Sequence, residues 1–90
     1  MIVRYHYQFF GRVQQVGFRF HAQNYAQFHH CTGWVKNCFD GSVEMEIQGD
    51  ISDIQQVVAK LHKTRYIIID HFQQIECSVV DETHFDIKAY

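Results

Sequence analysis

The segment Val3–Phe9, which reads VRYHYQF, sets the pattern from which the fold of the chain can be worked out. Its apolar side chains occupy every second position, at Val3, Tyr5, Tyr7 and Phe9. Polar side chains fill the positions between them, at Arg4, His6 and Gln8. A period of two is typical of a β-strand that buries one of its two faces. The segment therefore predicts a first strand whose odd-numbered side chains enter the core.

A helix is predicted after a short segment with glycine at both ends, Gly11–Gly17. The apolar side chains beyond it recur at the spacing of helical turns, at Phe18, Ala22, Tyr25 and Ala26. Side chains at i, i+4, i+7 and i+8 lie on one face of an α-helix. We therefore predict a first helix with one buried face.

A β-hairpin is predicted next, from two segments that favour strands. The first is Thr32–Lys36, and the second is Val43–Ile47, in which apolar and polar residues alternate. Asp40 and Gly41 lie between them, and this dipeptide is typical of a tight hairpin turn.

A second helix follows the hairpin and is amphipathic. Its apolar side chains lie at Ile51, Ile54, Val57, Val58 and Leu61. Either Asp50 or Ser52 has the side chain of a helix N-cap, so the predicted start is ambiguous by two residues.

Two strands are predicted in the remainder of the chain. Ile75, Cys77 and Val79 alternate with polar or exposed positions and predict a fourth strand with these three side chains on one face. Phe85 and Ile87 predict a short edge strand. The state of the apolar segment Ile67–Ile69 stays open.

The order β-α-β-β-α-β predicts an α+β fold, the ferredoxin-like split β-α-β sandwich. Two right-handed crossovers place both helices on one face of an antiparallel sheet and leave the other face open. Enzymes, RNA-binding domains and metal carriers share this plan, so the fold alone does not give the function.

Composition limits the classes to which the chain can belong. It has 90 residues, 47% hydrophobic and 20% charged, which indicates one folded domain over residues 1–90. The formal net charge is −2, whereas nucleic-acid and anionic-membrane binders usually carry a basic excess. Three cysteines without a C-x-x-C spacing fit the reducing cytoplasm, and we expect neither a membrane helix nor a targeting segment.

The segment Gly11–Arg19, GRVQQVGFR, lies between the first strand and the first helix. Backbone N–H groups at the start of a helix attract anions, and the Arg19 guanidinium can add a fork of donors. The segment is therefore a candidate phosphate-binding loop. The ordinary alternative, a strand-to-helix turn with a solvated arginine, stays open on spacing alone.

Two motifs resemble those of the acylphosphatase family. The family's loop G-x-V-Q-G-V-x-F-R corresponds to GRVQQVGFR at Gly11–Arg19, with one position different. A second signature, G-W-V-x-N followed by spaced glycine, valine and glycine, corresponds to Gly33–Asn37 and then Gly41, Val43 and Gly49. The resemblance covers the whole chain and ends in the family-like segment Phe85–Ile87.

The resemblance implies an acylphosphatase, which hydrolyses acyl phosphates to a carboxylate and inorganic phosphate without a cofactor or metal. It implies that Arg19 and Asn37 are catalytic, with Arg19 on the phosphoryl oxygens and Asn37 on the attacking water. It implies a phosphate-binding loop made of Gln15, Val16, Gly17, Phe18 and Arg19. It further implies a cytoplasmic monomer whose partners are small molecules rather than nucleic acid or membrane.

Two departures from the family pattern lie near these residues. Gln15 replaces the loop glycine, and a glutamine in the left-handed backbone region would cost on the order of 1 kcal/mol. Cys38 stands where the family often has threonine, which removes a hydroxyl. The alternative function is therefore a catalytically weak module that binds phosphate or acyl phosphate.

Other interpretations are less well supported by the residues. Asn37 alone would suit a turn, and Trp34 alone would suit the core. The cluster His29–Cys31 and Cys38 fit no standard zinc spacing, and His21 is expected on the exposed side of its helix. An RNA-binding domain would need aromatic and basic side chains on the third strand, where glutamates are found instead.

Overall fold

The computed structural model describes residues 1–89, which contain five strands and two helices. In chain order, these are β1 (Ile2–Arg12), α1 (Phe18–Phe28), β2 (Thr32–Asn37), β3 (Val43–Asp50), α2 (Ile51–Lys63), β4 (Ile68–Cys77) and β5 (Phe85–Lys88). The predicted α+β fold is confirmed, and so is the hairpin of β2 and β3. Within this range, neither helix has both the length and the hydrophobicity needed to cross a membrane.

The strands form one sheet in the order β4-β1-β3-β2-β5. Four strands pair antiparallel, as expected for the split β-α-β plan. The fifth differs, because β5 runs parallel to β2, with Phe85 opposite Gly33. The sheet is therefore mixed, and β5 extends the edge beside the end of β2.

The core lies between the sheet and the two helices, as the sequence pattern predicts. Tyr7 and Phe9 of β1 are buried there, whereas Val3 and Tyr5 are partly buried against the same cluster. Each helix inserts three buried side chains: Phe18, Ala22 and Ala26 from α1, and Ile54, Val57 and Leu61 from α2. The first turn of α1 is thereby fixed against the sheet.

The structure distinguishes between the two candidate N-caps of α2, Asp50 and Ser52. The Asp50 carboxylate accepts a hydrogen bond from the Ser52 backbone N–H at 3.1 Å, and its backbone is extended. An N-cap carboxylate satisfies a donor that the first helical turn leaves free. Asp50 is therefore the N-cap.

The predicted fourth strand is present, but its bounds differ from the prediction. Strand β4 begins at Ile68 and ends at Cys77, so Val79 lies outside it. Ile75 pairs with His6, on the face of the sheet opposite the helices, and is 66% exposed. Ile75 and Cys77 share this face, as their alternation predicts, and it is the face that lies away from the core.

The predicted open face is partly covered by the connection between β4 and β5, residues 78–84. Gln48 on this face exchanges two hydrogen bonds with the Val80 backbone, both at 2.9 Å. The Arg4 guanidinium donates to Glu82 at 2.6 Å and is almost fully buried as a result. We call residues 78–84 the strap, since they cross from one edge strand to the other.

Trp34 also lies on this face, so its assignment to the core is wrong. Its neighbour Val35 takes the buried position, and alternation along β2 turns the indole to the opposite side. There the ring packs near the Lys88 ammonium, which lies 4.6 Å from the ring centroid, and near the His6 ring.

Charged side chains form a network beside the strap. Glu46 accepts hydrogen bonds from Arg4 Nε and His6 Nδ1, both at 2.8 Å, and His6 Nε2 lies 3.1 Å from Glu44. Burial raises the pKa of Glu46, but the hydrogen bonds from His6 and Arg4 outweigh it and hold the pKa below its ordinary value.

Because the pKa of Glu46 is lowered on folding, its contribution to stability is present above the ordinary value of 4.5 and is lost as pH falls through the folded value. We expect Glu46→Gln to lower the free energy of unfolding at pH 7, and the difference from wild type to shrink by pH 3. Urea denaturation across this pH range measures it. The exposed Glu76→Gln should show no such trend, and a pH-independent difference for Glu46→Gln would contradict the assignment.

Candidate active site

A cavity of about 280 Å³ opens where the loop before α1 meets the ends of β2 and β5. Its walls are formed by Val13, Gln15, Gly17, Phe18, Arg19, Phe20, Asn37 and Ile87. The two side chains predicted to be catalytic, Arg19 and Asn37, thus line the same cavity. Of the predicted phosphate-binding loop, Gln15, Gly17, Phe18 and Arg19 line it, whereas Val16 packs against the core and is absent from the lining.

Free backbone donors lie at the start of α1. Gly17 is the N-cap, with a left-handed φ of 80°, and no side chain caps the helix. Within residues 1–89, the first backbone hydrogen bond at this end is donated by His21 N to the Gly17 carbonyl at 3.0 Å. Among residues 1–89, the N–H groups of residues 15–20 have no hydrogen-bond acceptor, as an anion site requires.

Arg19 is the second residue of α1 and is half-buried at the cavity wall. In the part of the chain that the structure describes, no carboxylate lies within ion-pair distance of its guanidinium. Its fork of N–H donors is therefore available for an anion, because no acid competes for it.

Asn37 is the last residue of β2 and is only 7% exposed. It faces the helix side of the sheet, since it alternates with Lys36 and shares its face with the buried Val35. The turn begins only after it, where Cys38 N donates to the Ser42 carbonyl at 2.8 Å. The interpretation of Asn37 as a turn residue is therefore wrong, and its amide is held at the cavity by the sheet.

Gln14 joins the two halves of the site, and sequence reasoning did not single it out. Its amide nitrogen donates to the Cys38 carbonyl at 2.7 Å and to the Ser42 carbonyl at 2.9 Å. These carbonyls belong to the turn of the β2–β3 hairpin, which begins immediately after Asn37. The only sign of this role in the sequence is the place of Gln14 within the loop motif.

The backbone of Gln15, which replaces the family's loop glycine, has a conformation that favours glycine. Its φ is +62°, in the left-handed region, and its side chain is exposed at the cavity. A residue with a Cβ is strained in this region, whereas glycine is not. The glycine of the family motif would adopt this backbone without strain, whereas Gln15 adopts it at a cost in stability.

The other candidate side chains lie outside the cavity wall. Cys38 Sγ is 3.1 Å from Glu44 Oε1, and burial together with that carboxylate raises the pKa of the thiol. The His21 ring stacks on Tyr25 with centroids 5.8 Å apart, and it is half-buried rather than exposed. Among residues 1–89, no three His, Cys, Asp or Glu side chains gather as a metal-ligand set.

The chain is similar in sequence to known proteins of a single family. The family described as Acylphosphatase matches this chain over residues 5–87. The acylphosphatase of Bifidobacterium longum is 39% identical over 83 residues, which are 91% of this chain and 86% of that protein.

Solved structures agree with that match. An acylphosphatase from Bacillus subtilis superposes with a TM-score of 0.87 at 31% identity, covering 98% of this chain and 99% of its own. An acylphosphatase from Coxiella burnetii gives a TM-score of 0.89 at 27% identity, with coverage of 97% and 93%.

We expect Gln15→Gly to raise the free energy of unfolding by about 0.5–1 kcal/mol, because relief of the left-handed strain exceeds the added flexibility of the unfolded chain. Val16→Gly is the matched control, since Val16 has no positive φ and should lose stability. Urea denaturation measures both. A loss of stability in Gln15→Gly would show that the glutamine side chain stabilises the loop by more than the strain costs.

Gln14→Ala should lower the free energy of unfolding by roughly 1–3 kcal/mol, because two hairpin carbonyls lose a shared donor. It should also weaken binding of inorganic phosphate, measured by calorimetry. Gln73→Ala, at an exposed position on β4, controls for the loss of a glutamine side chain. Unchanged phosphate affinity in Gln14→Ala would refute the role of Gln14 in positioning the loop.

Proposed function

Because this chain belongs to the acylphosphatase family, we propose that Arg19, Asn37 and the loop before α1 bring about the hydrolysis of an acyl phosphate by water. The chain is an enzyme, an acylphosphatase, and its substrates are small molecules. The proposal depends on one observation. Arg19, Asn37 and the uncapped N-terminus of α1 lie at the same cavity.

The reaction exchanges one P–O bond for another and moves one proton from the attacking water to a phosphoryl oxygen. The water oxygen bonds to phosphorus as the bond from phosphorus to the acyl oxygen breaks, and the electron pair leaves with the carboxylate. An acyl phosphate dianion and water thus give a carboxylate and dihydrogen phosphate. A carboxylate departs without protonation, so the mechanism requires no general acid.

The loop and Arg19 bind the phosphoryl group in this proposal. In a loose transition state, the charge lies on the equatorial phosphoryl oxygens, and fixed donors stabilise it best. The backbone N–H groups from Gln15 to Arg19 supply such donors, and the Arg19 guanidinium adds two that remain charged at any working pH. Since no acid pairs with Arg19 in residues 1–89, its donors are free for the phosphoryl oxygens.

Asn37 positions the attacking water. Its side-chain carbonyl accepts a hydrogen bond from water, and burial at the end of β2 fixes the direction of that bond. A neutral amide is too weak a base to remove the proton in advance. Orientation is sufficient here, because the attacking oxygen is still weakly bonded in a loose transition state.

We further propose that residues 1–90 act as a monomeric domain in the cytoplasm. The three free thiols support a reducing compartment. Burial raises the pKa of the Cys31 thiol to about 12, which keeps it protonated and unreactive. Glu44 and Glu46 on the face opposite the helices argue against an RNA partner there.

The wild-type protein should hydrolyse benzoyl phosphate in the presence of EDTA. Arg19→Ala and Asn37→Ala should each lower kcat by a factor of about 100 or more, as is typical when a preorganised donor or positioning group is removed. A phosphate-release assay measures turnover. Arg65→Ala and Asn24→Ala, at exposed positions outside the cavity, are the matched controls.

Full activity in either cavity variant would refute the role of that residue. Phosphate binding with little turnover in the wild type, restored by Gln15→Gly, would favour the alternative of a catalytically weak binding module.

A further inference from the structure

Two exposed apolar side chains form part of the cavity wall. Phe20 is 61% exposed and Ile87 is 42% exposed, and both line the cavity that contains Arg19 and Asn37. Exposure of large apolar side chains to water is unfavourable. Two of them beside an anion site therefore indicate that an apolar group binds there.

Neither side chain contributes to the core. The Phe20 ring meets the His21 ring edge-on at 5.6 Å, a neighbour in its own helical turn. Along β5, Phe85 is buried in the core, and Ile87 extends the same face beyond it toward the cavity. Packing within the fold therefore does not account for a large apolar residue at either position.

A hydrogen bond joins the helix and the strand that carry the two side chains. Gln23, one helical turn after Phe20, donates from its amide nitrogen to the Phe85 carbonyl at 2.8 Å. This bond ties α1 to β5 directly behind the cavity. Phe20 and Ile87 thus present two apolar surfaces on elements that are already joined.

We propose that Phe20 and Ile87 form the binding site for the acyl group and select acyl phosphates whose acyl part is apolar and bulky. The inference rests on the proposed function, because it assigns the phosphoryl group to Arg19 and the loop. The acyl substituent begins only a few bonds from phosphorus. It therefore emerges from the polar end of the cavity toward the side chain adjacent to Arg19.

Charge favours the same class of substrate. Among the described residues that line the cavity, Arg19 is the only cationic side chain, and the phosphoryl group occupies it. A carboxylate or second phosphate on the acyl part would contact the apolar side chains of Phe20 and Ile87. No second cationic side chain among the described lining residues would pair with it. Such substrates lose hydration without gaining a partner.

The test compares kcat/KM for benzoyl phosphate, acetyl phosphate and succinyl phosphate. The wild type should prefer them in that order. Phe20→Ala should lower the ratio of benzoyl to acetyl phosphate on the order of fivefold to tenfold, and Ile87→Ala by a smaller factor. Phe20→Leu should retain most of the preference, because it keeps the apolar surface.

Phe28→Ala is the matched control, since Phe28 lies on the same helix, is 71% exposed and is remote from the cavity wall. It should leave the ratio unchanged. An equal loss on benzoyl and acetyl phosphate in Phe20→Ala, or an unchanged ratio in both cavity variants, would overturn this inference alone. A wild type that hydrolyses none of the three substrates would overturn the proposed function and this inference together.

Discussion

The site depends on one amide that bridges two chain segments. The loop before α1 supplies the anion donors, and the β2–β3 hairpin supplies Asn37, but neither segment fixes the other by itself. Gln14 joins them through hydrogen bonds to the Cys38 and Ser42 carbonyls. Because both acceptors are backbone atoms, they move only if the hairpin moves. The arrangement of donors and amide is therefore as rigid as the sheet, which is the condition for electrostatic preorganisation.

This bridge also explains how the loop holds a strained residue. Gln15 has a φ of +62°, and the buried side chains of Val13 and Phe18 anchor the loop on either side of it. The core contacts of those two residues and the Gln14 hydrogen bonds outweigh a strain of about 1 kcal/mol. Strain of this kind is tolerated where the surroundings determine the backbone more strongly than the residue itself.

Periodicity predicted the elements that face the core, because burial of one face imposes a regular pattern on VRYHYQF and on both helices. It failed on the opposite face. Arg4 is buried because the strap and a charged network cover that side, and these arise from pairings between distant segments. The two family motifs predicted the cavity residues Arg19 and Asn37 by resemblance. Gln14, Phe20 and Ile87 required the tertiary structure, since their roles depend on which segments meet.

The parallel pairing of β5 with β2 has a consequence for the order of events in folding. Val35 and Ile87 are opposite each other in the sheet although almost the whole second half of the chain separates them. Contacts of such large sequence separation close late, because the loop entropy must be overcome first. An intermediate that contains only the β1, β2 and β3 pairings would have Asn37 in place and one wall of the cleft missing. The cavity wall that Ile87 supplies thus forms only when this long-range pairing closes, after the local β2–β3 hairpin has placed Asn37.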